Sequence, residues 1–81
     1  MTTDEVFAVV RDAVVTVMEV EPGSVTRQSR LVEDLRCDSL ALVEIAEIVE
    51  ERIGNGFRIE DADLDDMATI GAAVDYAVAR L

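Results

Sequence analysis

Apolar residues recur at helical spacing in three separate stretches of this 81-residue chain. Within each stretch they fall about three or four positions apart, which places them on one face of an α-helix. The first stripe consists of Val6, Val9, Val10, Ala13, Val14 and Val17. The second consists of Leu42, Ile45, Ala46, Val49 and Ile53, and the last of Ile70, Ala73, Val74, Ala77 and Leu81. With one or two helical turns expected between Ile59 and Asp66, the pattern predicts an all-α fold, a small four-helix bundle of three long helices and one short.

Residues that cap helix ends mark the boundaries of the predicted helices. Thr2 and Glu5 have the spacing of a capping box, and Asp38 and Thr69 stand where the N-caps of the second and last helices belong. The second helix is expected to stop at residues 54–56 (GNG), because glycine and asparagine readily take the left-handed conformation that ends helices.

Residues 21–37 separate the first two helices and show no sustained apolar period. The stretch contains Pro22, so the first helix is expected to end near residue 20. These residues are predicted to form a long ordered loop that Leu31 and Leu35 pin to the core. Residues 1–81 contain no repeat, so one free-standing domain is expected.

The absence of histidine and lysine excludes several functions. The seven basic residues are all arginine, so no side chain of the usual kind is present to activate a catalytic serine. The single cysteine, Cys37, allows no internal disulfide and no zinc site of the Cys/His kind, which fits a reducing cytoplasm. No apolar run approaches the roughly 20 residues that span a bilayer. The chain is expected to be a monomeric cytoplasmic protein without enzymatic activity, metal or membrane insertion.

The net charge of −11 is unevenly distributed. Residues 33–66 hold twelve of the eighteen acidic residues but only three of the seven arginines. Such a field repels nucleic acids and attracts basic protein surfaces. The alternative is a solvated face that keeps the protein soluble.

The tripeptide Asp38-Ser39-Leu40 begins the second predicted helix inside this acidic region. The first N–H groups of a helix lack internal partners and carry a partial positive charge, so an anion attached to the Ser39 hydroxyl is favourably placed there. Ser39 is therefore interpreted as a site of modification. The alternative is that Ser39 only assists Asp38 in capping.

The surrounding residues resemble the prosthetic-group attachment site of acyl carrier proteins. The resemblance lies in residues 35–44 (LRCDSLALVE) and in the preceding residues 31–34 (LVED). It extends to the first helix, to the long loop and to residues 69–76 (TIGAAVDY), which are similar to the last helix of the family. One departure is Arg36, because the family commonly has glycine at that position, and the added positive charge predicts an unusual choice of partners.

The resemblance implies that Ser39, flanked by Asp38 and Leu40, accepts a covalent 4′-phosphopantetheine arm from coenzyme A. The terminal thiol of the arm would carry acyl groups as thioesters, and the carrier itself would catalyse nothing. Partner enzymes would recognise the second helix through their basic surfaces; they are a phosphopantetheinyl transferase, a ketosynthase, an acyltransferase and other acyl-processing enzymes. The residues expected to contact them, besides Asp38, are Leu40, Val43, Glu44, Glu47, Glu50 and Glu51.

The sequence leaves the pathway and several alternatives open. The run from Asp38 to Leu42 resembles carriers of type II polyketide assembly somewhat more than those of fatty-acid synthesis. A peptidyl carrier or an unmodified acidic interaction domain would share the same helices. A calcium sensor is disfavoured, because Asp66 and Ala72 replace the glycine and glutamate that an EF-hand loop beginning at Asp61 requires. Small residues of the apolar stripes, such as Ala46, would either leave room for an acyl chain or simply allow close packing.

Overall fold

The computed structural model describes residues 1–81 and contains four α-helices. They are α1 (Thr3–Met18), α2 (Ser39–Ile53), the short α3 (Asp61–Leu64) and α4 (Ile70–Ala79). A 3₁₀ turn at Pro22–Ser24 lies in the long loop. One isolated β-bridge joins Arg30 to Thr69, and there are no strands. The predicted all-α fold with three long helices and one short is confirmed.

The predicted caps are present at the starts of the three long helices. The Thr2 hydroxyl accepts a hydrogen bond from the Glu5 N–H at 3.2 Å, and the Glu5 carboxylate accepts one from the Thr2 N–H at 2.8 Å. Thr69 caps α4 by accepting from the Ala72 N–H at 3.1 Å. α1 ends at Met18, two residues before the predicted end, because Glu19 turns into the left-handed conformation (φ 56°).

The core lies between α1 and the two other long helices. Val6 and Val14 of α1 and Ile70 and Val74 of α4 are fully buried. Leu31 and Leu35 are also buried, so the prediction that they pin the loop is confirmed. Residues at the edges of the stripes are only partly buried; they are Val17, Leu42, Ile53 and Ala73.

The inward position predicted for Leu81 is wrong. α4 ends at Ala79, and the Leu81 side chain is 55 % exposed. The helical period therefore stops before it can carry Leu81 onto the buried face.

Backbone hydrogen bonds hold the long loop against the start of α4. The N–H groups of Ile70 and Gly71 donate to the carbonyl oxygens of Ser29 and Arg27 at 3.0 and 2.9 Å. These bonds satisfy donors that have no partner within the helix. A Cβ at Gly71 would lie 3.1 Å from the Arg27 carbonyl oxygen, so this close approach favours glycine. The middle of the loop is thereby fixed against α4.

None of the helices combines the length and apolar character needed to cross a membrane.

Candidate functional site

Ser39 is the first residue of α2 and is exposed. The preceding Asp38 caps the helix, because its carboxylate accepts a 2.8 Å hydrogen bond from the Ala41 N–H. The N–H groups of Ser39 and Leu40 have no hydrogen-bond partner within the protein. The serine hydroxyl is therefore accompanied by two free donors and by the positive end of the helix dipole.

The three serines of the chain differ in what their hydroxyls contact. The Ser24 hydroxyl donates to the Glu21 carbonyl oxygen at 2.7 Å. Ser29 is buried, and its hydroxyl accepts from the Thr26 N–H at 2.9 Å. Only the Ser39 hydroxyl forms no hydrogen bond within the protein, and Ser39 is exposed. It is the serine oxygen that a modifying enzyme can reach without breaking an internal contact.

The loop before Ser39 is held by hydrogen bonds. The Arg30 guanidinium binds both Glu33 and Asp34. These hydrogen bonds lower the pKa of the Asp34 carboxyl below its ordinary value. Further along, the Arg36 N–H donates to the Val32 carbonyl oxygen at 3.1 Å, and Arg36 takes a left-handed conformation (φ 63°). The loop therefore has a defined path into α2.

Cys37 is buried beneath this loop, two residues from Ser39. Burial raises the pKa of its thiol, and the negative charge of Asp38 raises it further. Because the thiolate is the reactive form, this environment disfavours a nucleophilic role. Cys37 serves as a small core residue.

The side chains predicted to meet partner enzymes lie mostly on the exposed side of α2. Leu40 is 67 % exposed and Val43 is 39 % exposed, which is unusual for apolar residues of a small core. The carboxylates on the same side are exposed; they are Glu44, Glu47 and Glu51. The structure thus brings two apolar side chains and three acids together on one helix, beginning one residue after Ser39.

Glu50 departs from the prediction. Its side chain is only 17 % exposed, and its carboxylate accepts a 2.8 Å hydrogen bond from the Ile59 N–H. The guanidinium of Arg58 lies 3.9 Å away. Glu50 faces the chain that follows α2, and its carboxylate is already engaged by groups of the same protein.

An apolar cavity of about 30 Å³ lies between the helices. Ala46, Ala73 and Ala77, the small residues for which the sequence left room or close packing open, contribute to its lining. A volume of this size would hold about two water molecules. A wider cleft of about 270 Å³ adjoins it, and the two share Leu31, Leu42, Leu64 and Met67. The sequence interpretation missed Leu64 and Met67, although their three-residue spacing within an acidic stretch is a usable signal.

Tyr76 fastens the short helix α3 beside this cavity. Its hydroxyl donates to Asp63 at 2.7 Å and accepts from the Glu60 N–H at 3.3 Å. The hydrogen bond to Asp63 raises the pKa of Tyr76. The Arg80 guanidinium lies 3.5 Å from the centre of the Tyr76 ring and 3.7 Å from the Asp63 carboxylate. Asp63 is thus engaged in a contact between α3 and α4.

Comparisons with known proteins agree with this geometry. Residues 8–77 match the family described as "Phosphopantetheine attachment site". The chain is 32 % identical over 78 residues to the acyl carrier protein of Thermotoga maritima, covering 96 % of this chain and 94 % of that protein. It is 39 % identical over 72 residues to the acyl carrier protein of Campylobacter hominis, covering 89 % of each. The meromycolate extension acyl carrier protein of Mycobacterium leprae is 36 % identical over 76 residues, which are 94 % of this chain and 64 % of that protein.

A solved structure supports the same assignment. The acyl carrier protein from Enterococcus faecalis superposes with a TM-score of 0.80 and 33 % identity over the whole of both chains. Phosphopantetheine is the prosthetic group of this family, and an exposed, uncommitted serine hydroxyl at a helix start suits its phosphodiester. The chain therefore belongs to the acyl carrier protein family and acts as a carrier, not as a catalyst.

Proposed function

We propose that Ser39 is the residue to which 4′-phosphopantetheine is attached. The observation that carries this proposal is the free Ser39 hydroxyl, because the other two serines use their hydroxyls inside the protein. The position at the first turn of α2 supports it further, since the N–H groups of Ser39 and Leu40 would face the phosphodiester. Asp38 keeps that turn in place through its bond to Ala41.

The arm supplies a terminal thiol on which acyl groups are held as thioesters. We propose that the cargo is an acyl intermediate of type II polyketide assembly, on the resemblance of residues 38–42 (DSLAL) to polyketide carriers. The relatives named for meromycolate extension favour a second candidate, the intermediates of fatty-acid synthesis. In either case the chain brings cargo to enzymes. The buried, unpaired Cys37 is compatible with work in a reducing cytoplasm.

The exposed side of α2 is proposed to dock those enzymes. A phosphopantetheinyl transferase, a ketosynthase and an acyltransferase would meet the carboxylates of Glu44, Glu47 and Glu51 with basic residues. Leu40 and Val43 would fill apolar depressions beside them. Glu50 is left out of this docking set because Ile59 and Arg58 hold its carboxylate.

The test of attachment is intact mass after incubation with coenzyme A and a broad-specificity phosphopantetheinyl transferase. The wild type is expected to gain the mass of one phosphopantetheine, and Ser39→Ala is expected to gain none. Ser24→Ala is the matched control, because it removes an exposed serine elsewhere and should load normally. No gain by the wild type, under conditions that load another carrier, would favour an unmodified interaction domain.

Cargo is tested with the loaded protein. It is offered malonyl groups by a malonyl transferase and amino acids by an adenylating enzyme, with mass as the readout. Malonyl loading followed by condensation with a polyketide ketosynthase, in preference to a fatty-acid ketosynthase, supports the polyketide assignment. Preferential amino-acid loading would instead identify a peptidyl carrier.

A further inference from the structure

Arg36 differs from the other six arginines in its surroundings. It is the only one with no carboxylate oxygen within 4.0 Å. The nearby acids Glu33 and Asp34 are both occupied by Arg30. Arg36 is also exposed, and its side chain forms neither a hydrogen bond nor a contact with an aromatic ring. Its guanidinium is a free positive charge within the most acidic part of the chain.

The backbone of Arg36 adopts a conformation that favours glycine. Its φ of 63° lies in the left-handed region, where a Cβ is unfavourable. The hydrogen bonds from Arg36 N–H to the Val32 carbonyl oxygen and from Cys37 N–H to the Leu31 carbonyl oxygen, at 3.1 and 2.9 Å, hold the chain there. A side chain at such a position is disfavoured by local geometry, so its presence points to a contribution made elsewhere.

Arg36 lies within reach of the attachment site. Three virtual bonds separate its Cα from that of Ser39, so the two atoms are at most about 11 Å apart. An arginine side chain and a phosphodiester on the serine oxygen each cover part of that span. The neighbouring Asp38 carboxylate is exposed and would repel the phosphodiester. A guanidinium is well matched to phosphate oxygens in charge and in geometry.

We propose that Arg36 is a positioning residue that pairs with the phosphodiester of a phosphopantetheine arm on Ser39. The pair offsets the repulsion from Asp38 and restricts the direction in which the arm leaves the protein. This inference rests on the proposed function, because it requires attachment at Ser39.

The test compares wild type with Arg36→Gln and Arg36→Lys, each without the arm and after loading confirmed by intact mass. Arg58→Gln is the matched control: Arg58 is also exposed, but it follows the far end of α2, a helix about 20 Å long. Two quantities are measured, the ³¹P chemical shift of the phosphodiester and the change in Tm on loading. Each is measured at about 0.01 M and about 1 M salt, since salt screens an exposed pair.

The Tm of the loaded protein minus that of the unloaded protein is expected to be about 2 °C higher in wild type than in Arg36→Gln at low salt. The ³¹P shift should differ between the same two proteins, Arg36→Lys should restore part of both effects, and Arg58→Gln should match wild type. At high salt the difference in Tm should disappear. Arg36→Gly guards against an effect on folding alone, because it relieves the left-handed strain yet should lose the effect of loading.

Equal changes in Tm and equal ³¹P shifts in wild type and Arg36→Gln would overturn the inference. It would be overturned even if the transferase acted more slowly on Arg36→Gln, because Arg36 would then contact the enzyme and not the arm. If wild type gains no mass, the proposed attachment fails and the inference fails with it. A gain of mass without dependence on Arg36 defeats the inference alone.

Discussion

The Tyr76 hydroxyl on α4 donates a 2.7 Å hydrogen bond to the Asp63 carboxylate on α3. The same oxygen accepts a hydrogen bond from the Glu60 N–H, at the residue that precedes α3. Because α3 has only four residues, it cannot be stable by its own hydrogen bonds. The position of α3 beside the cavity therefore depends on these two hydrogen bonds to Tyr76 and on the apolar side chains of Leu64 and Met67.

Replacing Tyr76 with Phe should loosen α3 while keeping the ring on which Arg80 stacks. The two hydrogen bonds are exposed or only partly buried, so their loss is expected to cost about 1 kcal/mol in total and to lower Tm by about 4–8 °C. Amide exchange in residues 59–67 should accelerate more than exchange in α1. Unchanged exchange in residues 59–67 would show that apolar packing alone holds α3.

The Asp38 carboxylate both caps α2 and carries a negative charge, and two substitutions distinguish these two roles. Asp38→Ala removes the acceptor of the Ala41 N–H and should lower the free energy of unfolding by about 1 kcal/mol. Asp38→Asn keeps an acceptor and should lie within a few tenths of a kcal/mol of wild type. Denaturant unfolding measures both. If the rate of phosphopantetheine transfer falls in Asp38→Asn without a loss of stability, the charge itself is recognised.

Replacement by alanine should affect mainly stability at Glu50 and mainly partner association at Glu47. Glu50→Ala leaves the Ile59 N–H without its 2.8 Å partner and should lower the free energy of unfolding by about 1–2 kcal/mol. Glu47 is exposed, so Glu47→Ala should change stability by less than about 0.5 kcal/mol. The transferase should instead bind Glu47→Ala more slowly, most clearly at low salt. Equal association rates for the two variants would contradict the docking set proposed above.

Acid should weaken the turn formed by Arg30 and Asp34. Hydrogen bonds from Arg30 lower the pKa of Asp34 in the folded protein below its ordinary value of 3.8. At a pH between the folded and unfolded pKa values, Asp34 therefore binds fewer protons in the folded state than in the unfolded state. The stability that its ionised carboxylate contributes above about pH 4 is lost as the pH falls through the folded pKa. An NMR titration should show the Asp34 pKa rising in Arg30→Gln. Arg58→Gln, the control, should leave it unchanged.

The sequence predicts those parts of the structure that depend on neighbours within one helical turn. Each cap joins residues three positions apart, as in the bond from the Ala41 N–H to Asp38, so local chemistry suffices to identify it. The bond between Ile59 and Glu50 spans nine positions, and that between Tyr76 and Asp63 spans thirteen. Both depend on the path of a loop, which the apolar period does not encode. The sequence therefore predicts neither the internal contact of Glu50 nor the contact that holds α3.

The exposed position of Ser39 at the start of α2 is predictable from the sequence, because a cap followed by a serine is a local pattern. The exposure of Leu40 and Val43 was also foreseen from the helical period, since neither belongs to the buried stripe of α2. Residues at the margins were harder to place. Leu81 continues the period of α4, yet the helix ends two residues earlier, and Arg80 leaves the helical conformation (φ −106°, ψ 2°).

The cavity of about 30 Å³ links the size of the cargo to the volume of the carrier. Because the interior of a protein is close-packed, an acyl chain too large for this cavity and the adjoining cleft of about 270 Å³ can be enclosed only if the helices move apart. Each added carbon would then expand the folded protein by a similar increment. For any cargo sheltered in this way, the spacing between the helices would increase as the chain grows, whereas a cargo left in solvent would leave that spacing unchanged.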